Sequence, residues 1–163
     1  FEDKDLNSKG IDAVEFLFCA NKGQDLKPLN KVASGGEISR LMLALKNVDL
    51  NSSLADAMVF DEIDTGISGK MAQAVAVKLA NIAGKNQVIC VTHLPQVAAM
   101  GDVNIFISKT EKDLDTVIKA ERLNGEGKVS EVARLISGSD ISKSGIMHAN
   151  QLIDESKEFK KDS

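Results

Sequence analysis

Short apolar runs along the chain predict three β-strands. They lie at residues 13–21 (AVEFLFCAN), 56–64 (DAMVFDEID) and 87–93 (QVICVTH). The second and third runs end in polar residues, which is typical of buried strands in a parallel sheet. The segment at 22–30 (KGQDLKPLN) contains Pro28 and predicts a loop.

A spacing of three to four residues predicts the first long helix. It runs from Gly35 to about Asn47, and its apolar residues should form one buried face. These residues are Ile38, Leu41, Met42 and Leu45.

The remaining pattern predicts a second long helix at 68–84, with Ser68 as its N-cap and Gly84 as its stop. A short helix follows at 95–100, a β-hairpin at 103–123 and two terminal helices within 128–138 and 141–159. Strands alternating with helices predict an α/β fold with a mainly parallel sheet flanked by helices. A length of 163 residues, 43% of them hydrophobic, fits a single domain over 1–163.

Charge and composition narrow the class of protein. The formal net charge is -4, so the chain as a whole lacks the positive charge that is typical of nucleic-acid-binding proteins. The sequence contains no apolar run near 18 residues and no signal peptide, which predicts a cytosolic protein without a membrane partner. Cys19 and Cys90 lie in apolar runs and predict buried, reduced thiols. The first residue is Phe1 and not Met, so we expect a piece of a longer protein.

Two strand ends carry candidate catalytic groups. Asp61 and Glu62 follow the run at 57–60, and His93 follows the run at 87–91. Parallel strands bring their carboxyl ends to one edge of a sheet, where α/β proteins bind ligands. In phosphoryl transfer an acid there holds the Mg²⁺ shell, a second acid orients or deprotonates water, and a histidine hydrogen-bonds phosphate or water. Acids and histidines are also common at solvated strand ends, so each residue taken singly has a purely structural interpretation.

The start of the first long helix is a candidate anion site. Ser34, Gly35, Gly36 and Glu37 precede its apolar pattern. A helix N-terminus offers free N–H groups and partial positive charge, and glycines let an anion come close. Ser34 and Glu37 also match a capping box, which needs no ligand. The capping box does not explain the two glycines, which therefore favour the phosphate interpretation.

The chain lacks a loop that cradles a nucleotide. Such a loop reads G-x-x-x-x-G-K-[ST]. The Gly-Lys pairs at 69–70, 84–85 and 127–128 lack both the earlier glycine and the following Ser or Thr. The chain therefore contains the candidate acids and the candidate anion site of an enzyme that acts on phosphates, but it lacks the loop that would cradle the nucleotide.

The order ASGGEISR, MVFDEIDTGISG and VTHLPQVA resembles the carboxyl-terminal lobe of an ATP-binding-cassette (ABC) P-loop ATPase head. Within that superfamily it resembles the RecN family of bacterial DNA repair proteins, which are relatives of the structural-maintenance-of-chromosomes (SMC) proteins. The resemblance extends from about Val14 to Ser137. It implies ATP hydrolysis with Mg²⁺ in a nucleoid-associated protein that repairs DNA double-strand breaks.

The resemblance also implies roles for individual residues. Residues 33–37 would be the signature motif, which contacts the γ-phosphate of ATP held by a second head. Asp61 would be the magnesium-side acid of the Walker B strand, Glu62 the catalytic base and His93 the switch histidine. Residues 65–68 fall where the D-loop lies. Ala33 and Ser68 depart from the general cassette pattern, and Ser68 stands where the D-loop usually ends in Asp.

Implied partners are an amino-terminal lobe of the same protein that carries the missing cradle, a second ATPase head in an ATP-dependent dimer, and DNA through the intact protein. A long coiled coil would separate the two lobes in sequence, and the polar first residues would follow it. The isolated chain would be inactive. Two alternatives stay open, namely a nucleotide-binding subunit of an ABC transporter and a non-catalytic SMC-like scaffold head. The run DTGISG disfavours the transporter, and Glu62 disfavours the scaffold.

Overall fold

A computed structural model describes residues 2–8, 10–19, 23, 25–32, 34–48, 56–112 and 115–162. Within these ranges the helices and strands follow one another in this order: β1 (Glu2–Asn7), β2 (Gly10–Ala13), β3 (Leu17–Phe18), β4 (Lys27–Pro28), α1 (Leu29–Val32), α2 (Gly35–Val48), β5 (Ala57–Phe60), α3 (Gly69–Ala83), β6 (Gln87–Cys90), α4 (Pro95–Met100), β7 (Ile105–Lys112), β8 (Asp115–Arg122), α5 (Gly125–Ser137) and α6 (Lys143–Asp162).

The centre of the fold is the parallel pair β5 and β6. Their register aligns Ala57 with Gln87 and Phe60 with Cys90. One face of the pair carries Phe60 and packs on α3 and α4. The core there is built from the buried side of α3, whose predicted limits are confirmed by Ser68 at the N-cap and Gly84 at the C-cap. The fully buried residues of that helix are Ala72, Ala76 and Ile82.

The predicted sheet is confirmed only for this pair. Among the described residues, three of the four two-stranded sheets are antiparallel. The run at 13–21, expected to join a parallel sheet, instead contributes the short strand β3, which pairs antiparallel with β4. Pro28, expected in a loop, lies in β4. Its missing N–H is tolerated because a two-residue strand at a sheet edge needs few ladder bonds. The fold is a mixed α/β arrangement.

The carboxyl-terminal half follows the predicted pattern. The hairpin expected at 103–123 is β7 and β8, which pair antiparallel from Ile105–Arg122 to Lys112–Asp115. Helix α5 begins before the predicted position because Asn124 caps it, its side-chain oxygen accepting from the Gly127 N–H at 2.7 Å. Helices α5 and α6 bury a second apolar cluster together with α4: Ala98, Ala99, Val132, Ala133, Ala149 and Ile153.

Helix α2 forms where it was predicted, but its buried face is different. The buried apolar side chain is Leu43, whereas Ile38, Met42 and Leu45 are exposed and Leu41 is half-buried. Leu43 faces the core shared with α3, and the Asn47 amide donates to the Lys78 carbonyl of α3 at 3.2 Å. Periodicity locates an apolar stripe but does not identify what covers it. No described residue buries the predicted stripe.

Neither cysteine is fully buried, contrary to prediction. Cys19 and Cys90 are half-buried and form no disulfide. Burial, reinforced by the negative charges of Asp64 and Asp61, raises the pKa of the Cys90 thiol to about 12. The Cys90 thiol therefore stays protonated at neutral pH and acts as an apolar core group.

None of the helices in the described part of the chain is long and apolar enough to span a membrane.

The α3 core should dominate the stability of the chain. Ile82 is 0% exposed, so Ile82→Ala should lower the free energy of unfolding by roughly 2–5 kcal/mol through lost burial and the cavity left behind. Met71→Ala is the matched control, because Met71 lies on the same helix and is 56% exposed. Urea denaturation of both variants measures the difference. Equal losses would contradict this assignment of the core.

Candidate functional site

The loop after β5 carries the two predicted acids. Asp61 and Glu62 are both exposed, as expected for groups at the carboxyl edge of a sheet. The Asp61 Oδ1 accepts from the Glu62 N–H at 2.9 Å. Glu62 has φ of 56°, a left-handed conformation that is uncommon for residues other than glycine. The chain turns sharply here, and the Glu62 carbonyl accepts from the Thr65 N–H at 3.1 Å.

His93 lies just beyond the neighbouring strand β6, at the same edge. The parallel register places Phe60 opposite Cys90, so the segments that follow β5 and β6 leave the sheet together. The His93 side chain is 71% exposed, and its Nδ1 lies 3.2 Å from Asp64 Oδ2. The same oxygen accepts from the His93 backbone N–H at 2.8 Å. The structure thus joins the histidine, through Asp64, to the loop of residues 61–67 that follows β5, which we call the acid loop.

Asp64 is the residue that sequence reasoning missed. It is 3% exposed, and its Oδ2 also accepts from the Thr92 hydroxyl at 2.6 Å. A buried carboxylate is costly unless hydrogen bonds satisfy it, and this one is satisfied by the end of β6. The available signal was the third acid of the run DEID, two residues after Glu62.

The start of α2 adopts the predicted capping box. The Glu37 N–H points to Ser34 Oγ at 3.4 Å, and the Ser34 N–H points to Glu37 Oε2 at 3.4 Å. Both contacts are long, and the backbone bond from the Glu37 N–H to the Ser34 carbonyl at 3.0 Å also closes this turn. Ser34 is exposed, so its hydroxyl remains accessible from outside the chain. Ala33, the first residue of the predicted signature motif, lies outside the described residues.

The two glycines have a structural role that the sequence did not reveal. A Cβ on Gly35 would collide with the Glu62 carboxylate Oε2. A Cβ on Gly36 would lie 2.8 Å from the Glu62 carbonyl oxygen and 3.1 Å from the Thr65 Cβ. Packing of α2 on the acid loop therefore requires glycine at position 36, where the close neighbour is backbone, whereas at position 35 the neighbour is the end of the flexible Glu62 side chain. Gly36 thus has a structural reason that does not involve a phosphate, and the phosphate interpretation stays a prediction.

The predicted D-loop segment connects the acid loop to α3. Gly66 has φ of 74°, and the Ile67 N–H donates to the Asp64 carbonyl at 3.4 Å. Ser68 takes an extended conformation at the N-cap of α3, without a side-chain capping bond. Thr65 and Gly66 are exposed, whereas Ile67 is half-buried against the main core.

The chemistry of the edge fits a magnesium ion that is bound with a substrate. Among the described residues, no three His, Cys, Asp or Glu side chains form a group that could hold a metal alone. Mg²⁺ does not need such a group, because it binds through one or two carboxylates plus substrate phosphates and water. The exposed carboxylate of Asp61 can serve as such a ligand.

Three curated relatives, each a DNA repair protein RecN, align with nearly the whole chain. The relative from Halalkalibacterium halodurans is 46% identical over 151 residues, which cover 93% of this chain and 27% of the relative. The relative from Bacillus subtilis is 43% identical over 155 residues, covering 95% and 27%. The relative from Mycobacterium leprae is 45% identical over 151 residues, covering 93% and 25%. The chain spans about a quarter of the length of these relatives.

No protein-family model matches the chain. A solved structure from work on ATP-driven dimerization and DNA-stimulated activation of SMC ATPases aligns with a TM-score of 0.45 and 23% identity, covering 72% of this chain and 70% of the other. With 43–46% identity to these RecN proteins over 93–95% of its length, the chain belongs to the RecN family of DNA repair proteins.

Proposed function

We propose that this chain is the carboxyl-terminal ATPase lobe of a longer RecN-type DNA repair protein, which hydrolyses ATP with Mg²⁺. The proposal rests on the arrangement at the carboxyl edge of the β5–β6 pair. There, exposed Asp61 and Glu62 lie on the loop that Asp64 connects to His93. The names of the relatives supply the DNA repair context. The intact protein would act on DNA in the bacterial cytoplasm, in association with the nucleoid.

Each candidate residue at the carboxyl edge of β5 and β6 would have a separate role in ATP hydrolysis. Asp61 would hold the magnesium shell, and bound Mg²⁺ would neutralise charge developing on the phosphates. Glu62 would accept a proton from the attacking water, and His93 would hydrogen-bond the terminal phosphate or that water. The Glu62 carboxylate lies beside Gly35, next to the start of α2.

The start of α2 would serve a second head. Ser34 is exposed at the N-terminus of a 14-residue helix, where free N–H groups attract anions. We assign residues 34–37 to the γ-phosphate of ATP bound by another copy. Two heads would then close over two nucleotides, and ATP hydrolysis would let the heads separate.

An uncovered apolar sheet face supports docking of an amino-terminal lobe. On the face of β5 and β6 away from the core, Val59 is 68% exposed, Ile89 49% and Val91 60%. Contiguous exposed apolar residues on a sheet face mark an interaction surface. The occupant we propose is a lobe of the same protein that carries the phosphate cradle, because about three quarters of each relative lies outside the match.

Glu62→Gln in the intact protein tests the catalytic assignment. Turnover of ATP should fall by roughly 10²-fold or more, the scale of a lost general base, while ATP binding persists. Closed, ATP-bound heads should accumulate as a result. Steady-state hydrolysis and nucleotide-binding assays measure the two effects separately. Unchanged turnover would remove Glu62 from the mechanism.

Ser34→Asp separates a capping role from a phosphate-binding role. Asp caps helices as well as Ser does, so a purely capping residue should tolerate the change. Opposite a γ-phosphate, the new carboxylate would be repelled by about 4 kcal/mol per charge pair at 4 Å and an effective dielectric of 20. We expect a roughly thousandfold loss of ATP-driven head association, measured by sedimentation of the intact protein.

Two controls accompany the Ser34 variant. Thermal melting should show an unchanged midpoint, and ATP binding by each single head should stay normal. A stable variant that still dimerises with ATP would refute the contact with the second head.

Docking of an amino-terminal lobe on the exposed sheet face can be tested by mixing the chain with the rest of the protein. The chain alone should not bind Mg·ATP tightly, because it lacks the cradle that supplies much of the binding. Mixed with the separately produced remainder of the protein, it should form a complex and restore hydrolysis. The double variant Val59→Lys, Val91→Lys should not do so, because it places two charges in the apolar contact.

Met147→Lys is the matched control for reassembly, since Met147 is 73% exposed on α6 and lies on a different element. It should assemble normally. Low-micromolar binding of Mg·ATP to the isolated chain, or normal assembly of the double variant, would contradict the proposed docking.

A further inference from the structure

Arg40 joins helix α2 to the acid loop. Its side chain is half-buried, and its Nη1 donates to the Ile63 carbonyl at 3.1 Å and to the Thr65 carbonyl at 2.8 Å. Hydrogen bonds from a charged donor are stronger than those between neutral groups, and an arginine held by two acceptors has little freedom left. The arginine therefore acts as a bridge between the two segments.

Ser39, the preceding residue, makes a parallel contact. Its Oγ donates to the Asp61 carbonyl at 3.1 Å. Together the two side chains of α2 bind the carbonyls of residues 61, 63 and 65, which are alternate positions of the acid loop. Close packing of Gly36 against the Glu62 carbonyl brings the helix near enough for these bonds.

The acid loop needs such support because its conformation is unfavourable alone. Glu62 has a positive φ, which is strained for a residue other than glycine and persists only where the surroundings hold it. Ile63, which follows Glu62, is 0% exposed and anchors the loop to the core. The carbonyls on either side of Glu62 are those that Ser39 and Arg40 bind.

We propose that Arg40 is a positioning residue, which together with Ser39 fixes the loop carrying Asp61 and Glu62 on helix α2. The proposal rests on the proposed ATPase function. Arg40 acts through the backbone carbonyls of Ile63 and Thr65. It holds the backbone that sets where the Glu62 carboxylate can reach, and Asp64 extends the same loop to His93. Because Ser34 directly precedes α2, the same contacts join the exposed start of the helix and the acid loop in one unit.

Arg40→Gln in the intact protein tests the role. Glutamine is neutral and too short to reach both carbonyls. We expect kcat for ATP hydrolysis to fall roughly tenfold to hundredfold, the scale of a misplaced catalytic group, with KM for ATP unchanged. Arg40→Lys should recover part of kcat, because an ammonium still donates several hydrogen bonds.

Arg134→Gln is the matched control. Arg134 lies on α5, and its Nη2 is 2.6 Å from Glu131 Oε1. None of its hydrogen bonds to the described residues reaches the acid loop. Its substitution should leave both kcat and KM unchanged. If Arg40→Gln lowers the melting midpoint so far that the protein unfolds, Ser39→Ala provides a second variant, which should show a smaller kcat loss with an intact fold.

Hydrogen exchange supplies a measurement that does not depend on hydrolysis. Arg40→Gln should speed exchange at Thr65 and Ile67, whose N–H groups bond within this loop, and leave α5 unchanged. Unchanged exchange there would overturn the structural half of the proposal. Faster exchange with unchanged kcat, in a protein whose turnover still requires Glu62, would overturn the positioning role. Turnover that does not depend on Glu62 would instead refute the proposed function.

Discussion

The parallel register of β5 and β6 is the constraint on which the candidate site depends. It brings the residues after Phe60 and those after Cys90 to one edge, although 30 positions separate them in sequence. The two segments are then tied by the buried Asp64 carboxylate, whose Oδ2 accepts from the Thr92 hydroxyl and the His93 N–H. A charge in that position is tolerable only because these donors satisfy it. The core beneath α3 holds the pair in place.

Helix α2 supplies the second half of the site by packing on the same loop. Glycines at 35 and 36 allow the approach, and the side chains of Ser39 and Arg40 bind the loop carbonyls. A single run of residues can therefore serve two purposes. Its exposed start would face the ligand in the proposed function, and its next turn supports the acid loop.

Several apolar surfaces remain uncovered in this segment of the protein. The outer sheet face around Val59 and Val91 and the stripe of α2 around Met42 are both exposed. Their residues follow the periodicity of buried elements, which favours a partner surface that covers them. This agrees with a chain that spans about a quarter of its relatives.

Local pattern was sufficient for most helices and strands after Gly35, but not for the strands and the short helix before it. The helix from Gly35, the helix capped by Ser68 and the hairpin at 103–123 form because periodicity and capping act over a few residues, and the motif order determined the family.

Tertiary structure alone decided the rest, because these features depend on contacts between segments distant in the chain. Whether the strands pair parallel or antiparallel, which face of α2 is buried and why residue 36 is glycine all depend on such contacts. The role of Asp64 is of the same kind, since its donors lie 28 and 29 residues away along the sequence. Spacing cannot reveal a hydrogen bond whose partner is brought close only by the sheet.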